Sequence, residues 1–183
     1  MNGERRISCV CNEVTLHVRG DPIVSAECYC TSCRRAAEFL QRLPSAPRLQ
    51  ESTGATRMKL YRKDRVTCPK GGHLLREYRL APDSQTRRVV AVCCNSPMFL
   101  DFIPGHWLSP FSKRCPAGEQ DTIDMRTMLG DCPSPINFSD EIPSHQSHSF
   151  LFFAKLISAW AAMGFRRPTF DYGYQKLGNP ARN

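Results

Sequence analysis

Cys28-Tyr29-Cys30-Thr31-Ser32-Cys33-Arg34-Arg35 places three cysteines within six residues and two arginines directly after them. The C-x-C step puts alternate side chains on one side of an extended strand end. The C-x-x-C step lets the backbone turn so that two sulfurs converge. Together they supply three thiolates aimed at one point, the donor set that a soft, tetrahedral Zn2+ prefers. A closed structural zinc site needs a fourth protein ligand, and none stands beside these three. The readings left open are a structural ion completed from afar by Cys68 or a histidine, an open site that accepts an external ligand, and a cluster without metal.

The flanks of this stretch read as mainly β structure. Residues 23–27 form a strand running into the cluster. Residues 34–42 suit a helix with Ala36, Ala37, Phe39 and Leu40 on its inner side, stopped before Pro44. Its N-terminus would lie beside Cys33, where a helix end favours thiolates and anionic ligands. Towards the N-terminus, Cys9-Val10-Cys11 leads into the alternating run Val14-Thr15-Leu16-His17-Val18. Towards the C-terminus come a polar loop (residues 44–53), a short strand (58–61) and a turn at Cys68-Pro69-Lys70-Gly71-Gly72-His73 resembling half of a zinc knuckle. Residues 74–80 and 87–93 read as a hairpin, and residues 99–103 as a last strand ended by Pro104-Gly105.

Residues 7–103 therefore read as a zinc-binding β domain and 104–183 as a loop-rich extension broken by Pro116, Pro133, Pro135 and Pro143. Within the extension, residues 150–163 are the longest apolar run, relieved by Lys155 and Ser158. They read as a helix buried against the body or a second copy, so a homodimer through this helix is a candidate assembly. The tail after Arg166-Arg167-Pro168 reads as polar and loose. Trp107 and Trp160 read as core, the histidines as surface or loop residues, and Cys115 and Cys132 as free thiols, a disulfide or a ligand pair.

Ten cysteines in 183 residues demand disulfides or metal. Residues 1–8 contain no apolar signal-peptide core, which argues for a reducing, cytoplasmic setting and hence for metal. No apolar stretch reaches the ~20 residues of a membrane span. A formal charge of +8 points towards nucleic acid or acidic ligands. Thiolates at one four-cysteine and one three-cysteine zinc site bring that charge to about +5. The basic residues are scattered and not interleaved with aromatics, which disfavours nucleic acid as a partner.

The order of these pieces resembles the glutathione-dependent formaldehyde-activating enzyme and centromere protein V family. Cys9-Val10-Cys11, the Cys28–Arg35 stretch, Gly54, Leu60, Tyr61 and Cys94-Asn95-Ser96-Pro97-Met98 fall in that family's order over residues 7–103. The resemblance implies a zinc-binding β-tent of curved antiparallel hairpins, with one or two zinc ions. One ion would sit on Cys9, Cys11 and the Cys93–Cys94 region, and a second on Cys28, Cys30 and Cys33. At the second, catalytic site the sulfur of glutathione or another small thiol would be handled, with Tyr29 shaping the entrance and Arg34 and Arg35 facing ligand carboxylates. The implied activity is that of a carbon–sulfur lyase of the S-(hydroxymethyl)glutathione synthase type. The alternative is a non-enzymatic zinc module that binds protein or nucleic acid. Asn12 and Asn95 stand where the family has Gly, and Tyr29 where it has His. Ala91 stands at the first cysteine of the family's late C-x-x-C, with Cys93 beside Cys94 instead. Adjacent cysteines in a strand point to opposite faces, so both reach one ion only if the chain is irregular there; Cys68 is the substitute.

Overall fold

A computed structural model describes residues 3–178 of the chain. The described residues form eleven strands in two sheets and two α-helices, the mainly β fold expected from the alternation. Strands β1 (Glu4–Ser8), β2 (Thr15–Arg19) and β5 (Val66–Lys70) make a three-stranded sheet in the order β1-β2-β5. The larger sheet contains β3 (Val24–Cys28), β4 (Thr56–Arg62), β6 (Leu75–Tyr78), β7 (Thr86–Ala91), β8 (Ser96–Phe102), β9 (Trp107–Pro110), β10 (Met125–Thr127) and β11 (Gln175–Lys176). Its order is β10-β3-β4-β9-β8-β7-β6-β11.

The strands beyond residue 104 correct the reading of residues 99–103 as the last strand. β9 is the central joint: it pairs antiparallel with β4 through Tyr61–Leu108 and with β8 through Leu100–Ser109. β10 pairs in parallel with β3, register Met125–Ala26 to Thr127–Cys28. These strands are three or four residues long, too short to show alternation, and Pro110 masks β9. Residues 179–183, the end of the tail read as loose, lie outside the described residues.

Helix α1 (Thr31–Leu40) starts three residues earlier than the apolar spacing suggests. The sulfur of Cys30 is the N-cap and accepts a hydrogen bond from the Cys33 amide at 3.3 Å, a role usually filled by an oxygen side chain. Helix α2 (Phe150–Ala161) is capped by Ser149, whose Oγ accepts from the Phe152 amide at 3.2 Å. Of the apolar run, Phe152 and Leu156 are buried, an i, i+4 pair on one face of the helix, and so is Met163 just beyond its end, while Phe150, Leu151, Phe153 and Ile157 are exposed. A helix lying on a sheet covers one stripe, and a run that is apolar all round keeps the rest outside.

Ile7, Leu16, Leu75, Val89 and Phe99 form a fully buried core between the two sheets. Val24, Leu60, Phe152 and Leu156 form another beneath α2. Ala37 and Leu40 of α1 pack with Val90 and Phe111. Each such large side chain contributes on the order of 1.5–3 kcal/mol when buried. No helix among the described residues is long and apolar enough to cross a membrane.

Candidate metal centres and the adjoining cavity

All ten cysteines are free, and seven of them gather in two clusters. The first joins Cys9 and Cys11, at the turn after β1, to Cys93 and Cys94, at the turn between β7 and β8; all four sulfurs lie within 4.8 Å of one another. Separations are 3.5 Å for Cys9–Cys11, 3.8 Å for Cys9–Cys93, 3.3 Å for Cys11–Cys93 and 3.9 Å for Cys93–Cys94. Four thiolates at about 2.3 Å around a tetrahedral ion would stand about 3.8 Å apart. The donor set and spacing therefore fit a tetrahedral thiolate-bound ion.

Local backbone chemistry builds this cluster. The Cys9 amide donates to the Val14 carbonyl at 3.1 Å, and the Val14 amide returns to Cys9 Sγ at 3.3 Å. Asn12 and Asn95 both adopt the left-handed region, φ 61° and 50°, so asparagine serves where the resembling family uses glycine. The β7–β8 turn breaks the strand alternation, which brings adjacent Cys93 and Cys94 onto one point. Ser96 Oγ lies 3.1 Å from Cys94 Sγ and accepts from the Val10 amide at 3.2 Å, tying the two turns together. Burial pushes the Cys9 and Cys93 thiols up. It also opposes ionisation of Cys94, but hydrogen bonds from Ser96 and Cys11 prevail and bring Cys94 to about 6. Cys68, the substitute ligand, lies on β5 outside both clusters, its thiol donating to the Lys70 carbonyl at 3.3 Å.

The second cluster is Cys28, Cys30 and Cys33, whose sulfurs also lie within 4.8 Å of one another. Among the described residues no fourth His, Cys, Asp or Glu joins them at that distance. Cys28 ends β3, Cys30 caps α1 and Cys33 lies in its first turn, so strand end and helix start aim the three sulfurs together. Hydrogen bonds from the Cys28 and Cys33 thiols hold Cys30 far below the usual thiol range. The contact with Cys30 raises Cys28 to about 11, and contacts with Cys28 and then Cys30, together with burial, raise Cys33 well above its ordinary value. The trio thus favours one thiolate at Cys30, and a cation is needed for three.

Residues of the C-terminal half hold this turn, and nothing in the local sequence pattern announces them. The Tyr29 amide donates to the Thr127 carbonyl at 3.0 Å, and the Thr31 amide to Asp131 Oδ2 at 2.8 Å. β10 is fixed to β3 by Arg126, which donates to buried Glu27 at 2.8 Å and to both oxygens of Asp140 at 2.6 and 2.7 Å. An anion buried in a strand, as Glu27 is, implies a cation opposite, which is the one available sequence signal.

A cavity of about 380 Å3 opens beside the three sulfurs. Cys28, Cys30 and Cys33 form one wall, Met58, Leu60, Leu100 and Trp107 line the sheet side, and Phe152, Leu156 and His148 close it from the extension. Trp107, read as core, is thus a cavity wall. A larger hollow of about 550 Å3, between Phe39, Tyr78, Leu80 and Lys176, has no cysteine in its described lining. Tyr29 is turned into the body: the residue is 1 % exposed, and its ring meets Phe138 edge-on, with its hydroxyl towards Thr53 at 3.4 Å. Arg35 is exposed and Arg34 half-buried on α1, because Cys33, Ala36, Ala37 and Leu40 occupy its buried face. The arginine in the cavity lining is Arg88 of β7.

Residues 4–65 match the family model described as glutathione-dependent formaldehyde-activating enzyme. The match spans Cys9, Cys11 and all of the three-cysteine stretch, so the resemblance stands over that part of the chain, in the manner of a divergent member. Cys93 and Cys94 lie beyond it, and the structure brings them to the first cluster. A comparison with curated proteins finds no match to the chain.

Proposed function

We propose, from the family match over residues 4–65 and the two cysteine clusters, that the chain is a zinc-dependent carbon–sulfur lyase-like protein. It acts on the adduct of a small thiol, such as glutathione, with an aldehyde. Cys9, Cys11, Cys93 and Cys94 hold a structural ion. Cys28, Cys30 and Cys33 hold the ion at which the thiol is handled. The observation that carries this reading is three converging sulfurs without a fourth ligand among the described residues, set against a cavity of about 380 Å3.

Zinc at that position would keep a bound thiol in its nucleophilic thiolate form at neutral pH. The start of α1 adds the partial positive charge of a helix N-terminus, which favours thiolates at Cys30 and Cys33. Phe152 and Leu156 keep water from one side of the site. In the synthetic direction the thiol sulfur bonds to the carbonyl carbon. The carbonyl π bond breaks, and the thiol proton ends on the resulting hydroxyl; cleavage reverses each change. The protein is expected to speed exchange between free glutathione plus aldehyde and their hemithioacetal, followed by NMR magnetisation transfer. Cys28→Ser should reduce that acceleration at least a hundredfold, about 2.7 kcal/mol of lost barrier lowering. Unchanged exchange in the variant would remove the three-cysteine site from the reaction.

A protein-binding module is the second reading. Phe150, Leu151, Phe153 and Ile157, exposed on α2, are the observation that favours it.

A further inference from the structure

Arg88 is 3 % exposed, yet the one hydrogen bond its guanidinium makes among the described residues goes to the Ser32 carbonyl, at 3.4 Å. Among the described residues no carboxylate oxygen lies within 4 Å of that guanidinium. The other buried cations are satisfied. Arg87 meets Asp101 at 2.9 Å, Arg126 meets Glu27 at 2.8 Å, and Lys63 meets Asp101 at 2.9 Å. Lys59 reaches the hydroxyls of Ser25 and Thr122 and the Thr122 carbonyl. Arg88 alone of these faces the cavity beside the three sulfurs. A guanidinium carries five donors in a planar fork suited to a carboxylate, and a buried charge without a partner is costly. The rest of the cavity is mostly hydrocarbon: Met58, Leu60, Leu100, Trp107, Phe152 and Leu156.

We infer that this cavity takes a small organic anion with an apolar ring or short chain, its carboxylate on Arg88 and its apolar body between the sheet and α2. The inference rests on the proposed thiol-adduct chemistry and specifies it. On that reading the carbonyl component handled at the three sulfurs is an apolar, carboxylate-bearing aldehyde. Phe152 and Leu156 come from outside the family match, so the extension supplies this selectivity.

Phenylacetate, acetate and benzyl alcohol separate the two halves of the recognition in the intact, metal-loaded protein. Trp107 fluorescence reports occupancy, with Trp107→Phe as the control that removes the signal, and calorimetry gives the affinity. Phenylacetate should bind saturably and at least tenfold more tightly than either acetate, which lacks the ring, or benzyl alcohol, which lacks the charge. Arg88→Met should weaken phenylacetate about tenfold and leave benzyl alcohol unchanged. Phenylacetate no tighter than acetate or benzyl alcohol would overturn the inference, and so would equal weakening of phenylacetate and benzyl alcohol in the variant. The three-probe comparison needs no variant, so it decides the matter even if Arg88→Met does not fold. Failure here alongside a glutathione-dependent change at the bound metal would sink this specificity and leave the lyase reading standing. Phenylacetate binding without any such change would leave the anion site on Arg88 standing and sink both the lyase reading and the assignment of the anion as its carbonyl component.

Discussion

Serine in place of Cys9 is expected to lower the melting temperature by roughly 8–16 °C and to remove one metal ion per chain. Cys9 and Cys93 are 84 positions apart, and an ion held between them joins the three-stranded sheet to the larger one. Cross-linking a loop of that length removes about 4.5 kcal/mol of unfolded-chain entropy. At about 2–4 °C per kcal/mol for a chain of this size, most of that figure gives the range stated. Chelation of the parent protein should reproduce the loss, because the metal and not the cysteine is the brace. A Cys9→Ser protein that melts with the parent and retains its metal content would show that the first cluster is not a structural site.

Gly71→Ala should be the most damaging single methyl group in the chain, at a cost on the order of 3 kcal/mol. Gly71 has φ 77°, a conformation that L side chains rarely adopt. An added Cβ would also overlap the Glu13 carbonyl oxygen and stand 2.9 Å from Val14 Cα. Both contacts are backbone, so no side chain can rotate away. Val14 is the residue whose amide and carbonyl hold Cys9, so the strain passes directly into the first cysteine cluster. Chemical denaturation should show the reduced midpoint, and metal analysis a weakened hold on one ion. A variant with parental stability and metal affinity would mean that the Cys9–Val14 turn is free to shift.

Cysteine spacing makes the three-cysteine cluster legible in the sequence, whereas the cluster of Cys9 and Cys11 with the Cys93–Cys94 region is legible only through the family resemblance. C-x-C followed by a C-x-x-C turn leaves few ways to point the sulfurs other than together, and the strands around them alternate clearly. Cys93 is harder to place, because adjacent cysteines in a strand diverge; the β7–β8 turn resolves it, with Asn95 at positive φ. The position of Cys30 as a helix cap stays hidden because cap preferences are written for oxygen side chains. The supports of the three-cysteine turn, Thr127 and Asp131, lie beyond the reach of any local pattern. They arrive from a hundred residues away, on and just after a strand of only three residues. The arginine that faces the cavity escapes for a related reason. Arg34 and Arg35 are adjacent to the cysteines in sequence, whereas Arg88 reaches them through sheet pairing and α1 packing.

Titration of the cobalt-substituted protein with glutathione tests the open three-cysteine site most directly. Two cobalt ions per chain are expected, one on four cysteines and one on three. Glutathione should intensify the sulfur-to-cobalt charge-transfer absorption by one further sulfur, saturating at one thiol per chain. Cys28→Ser should abolish that increment and leave the four-cysteine signal intact. A spectrum that does not respond to glutathione, with both ions already fully coordinated by the protein, would contradict the open site and the thiol chemistry built on it.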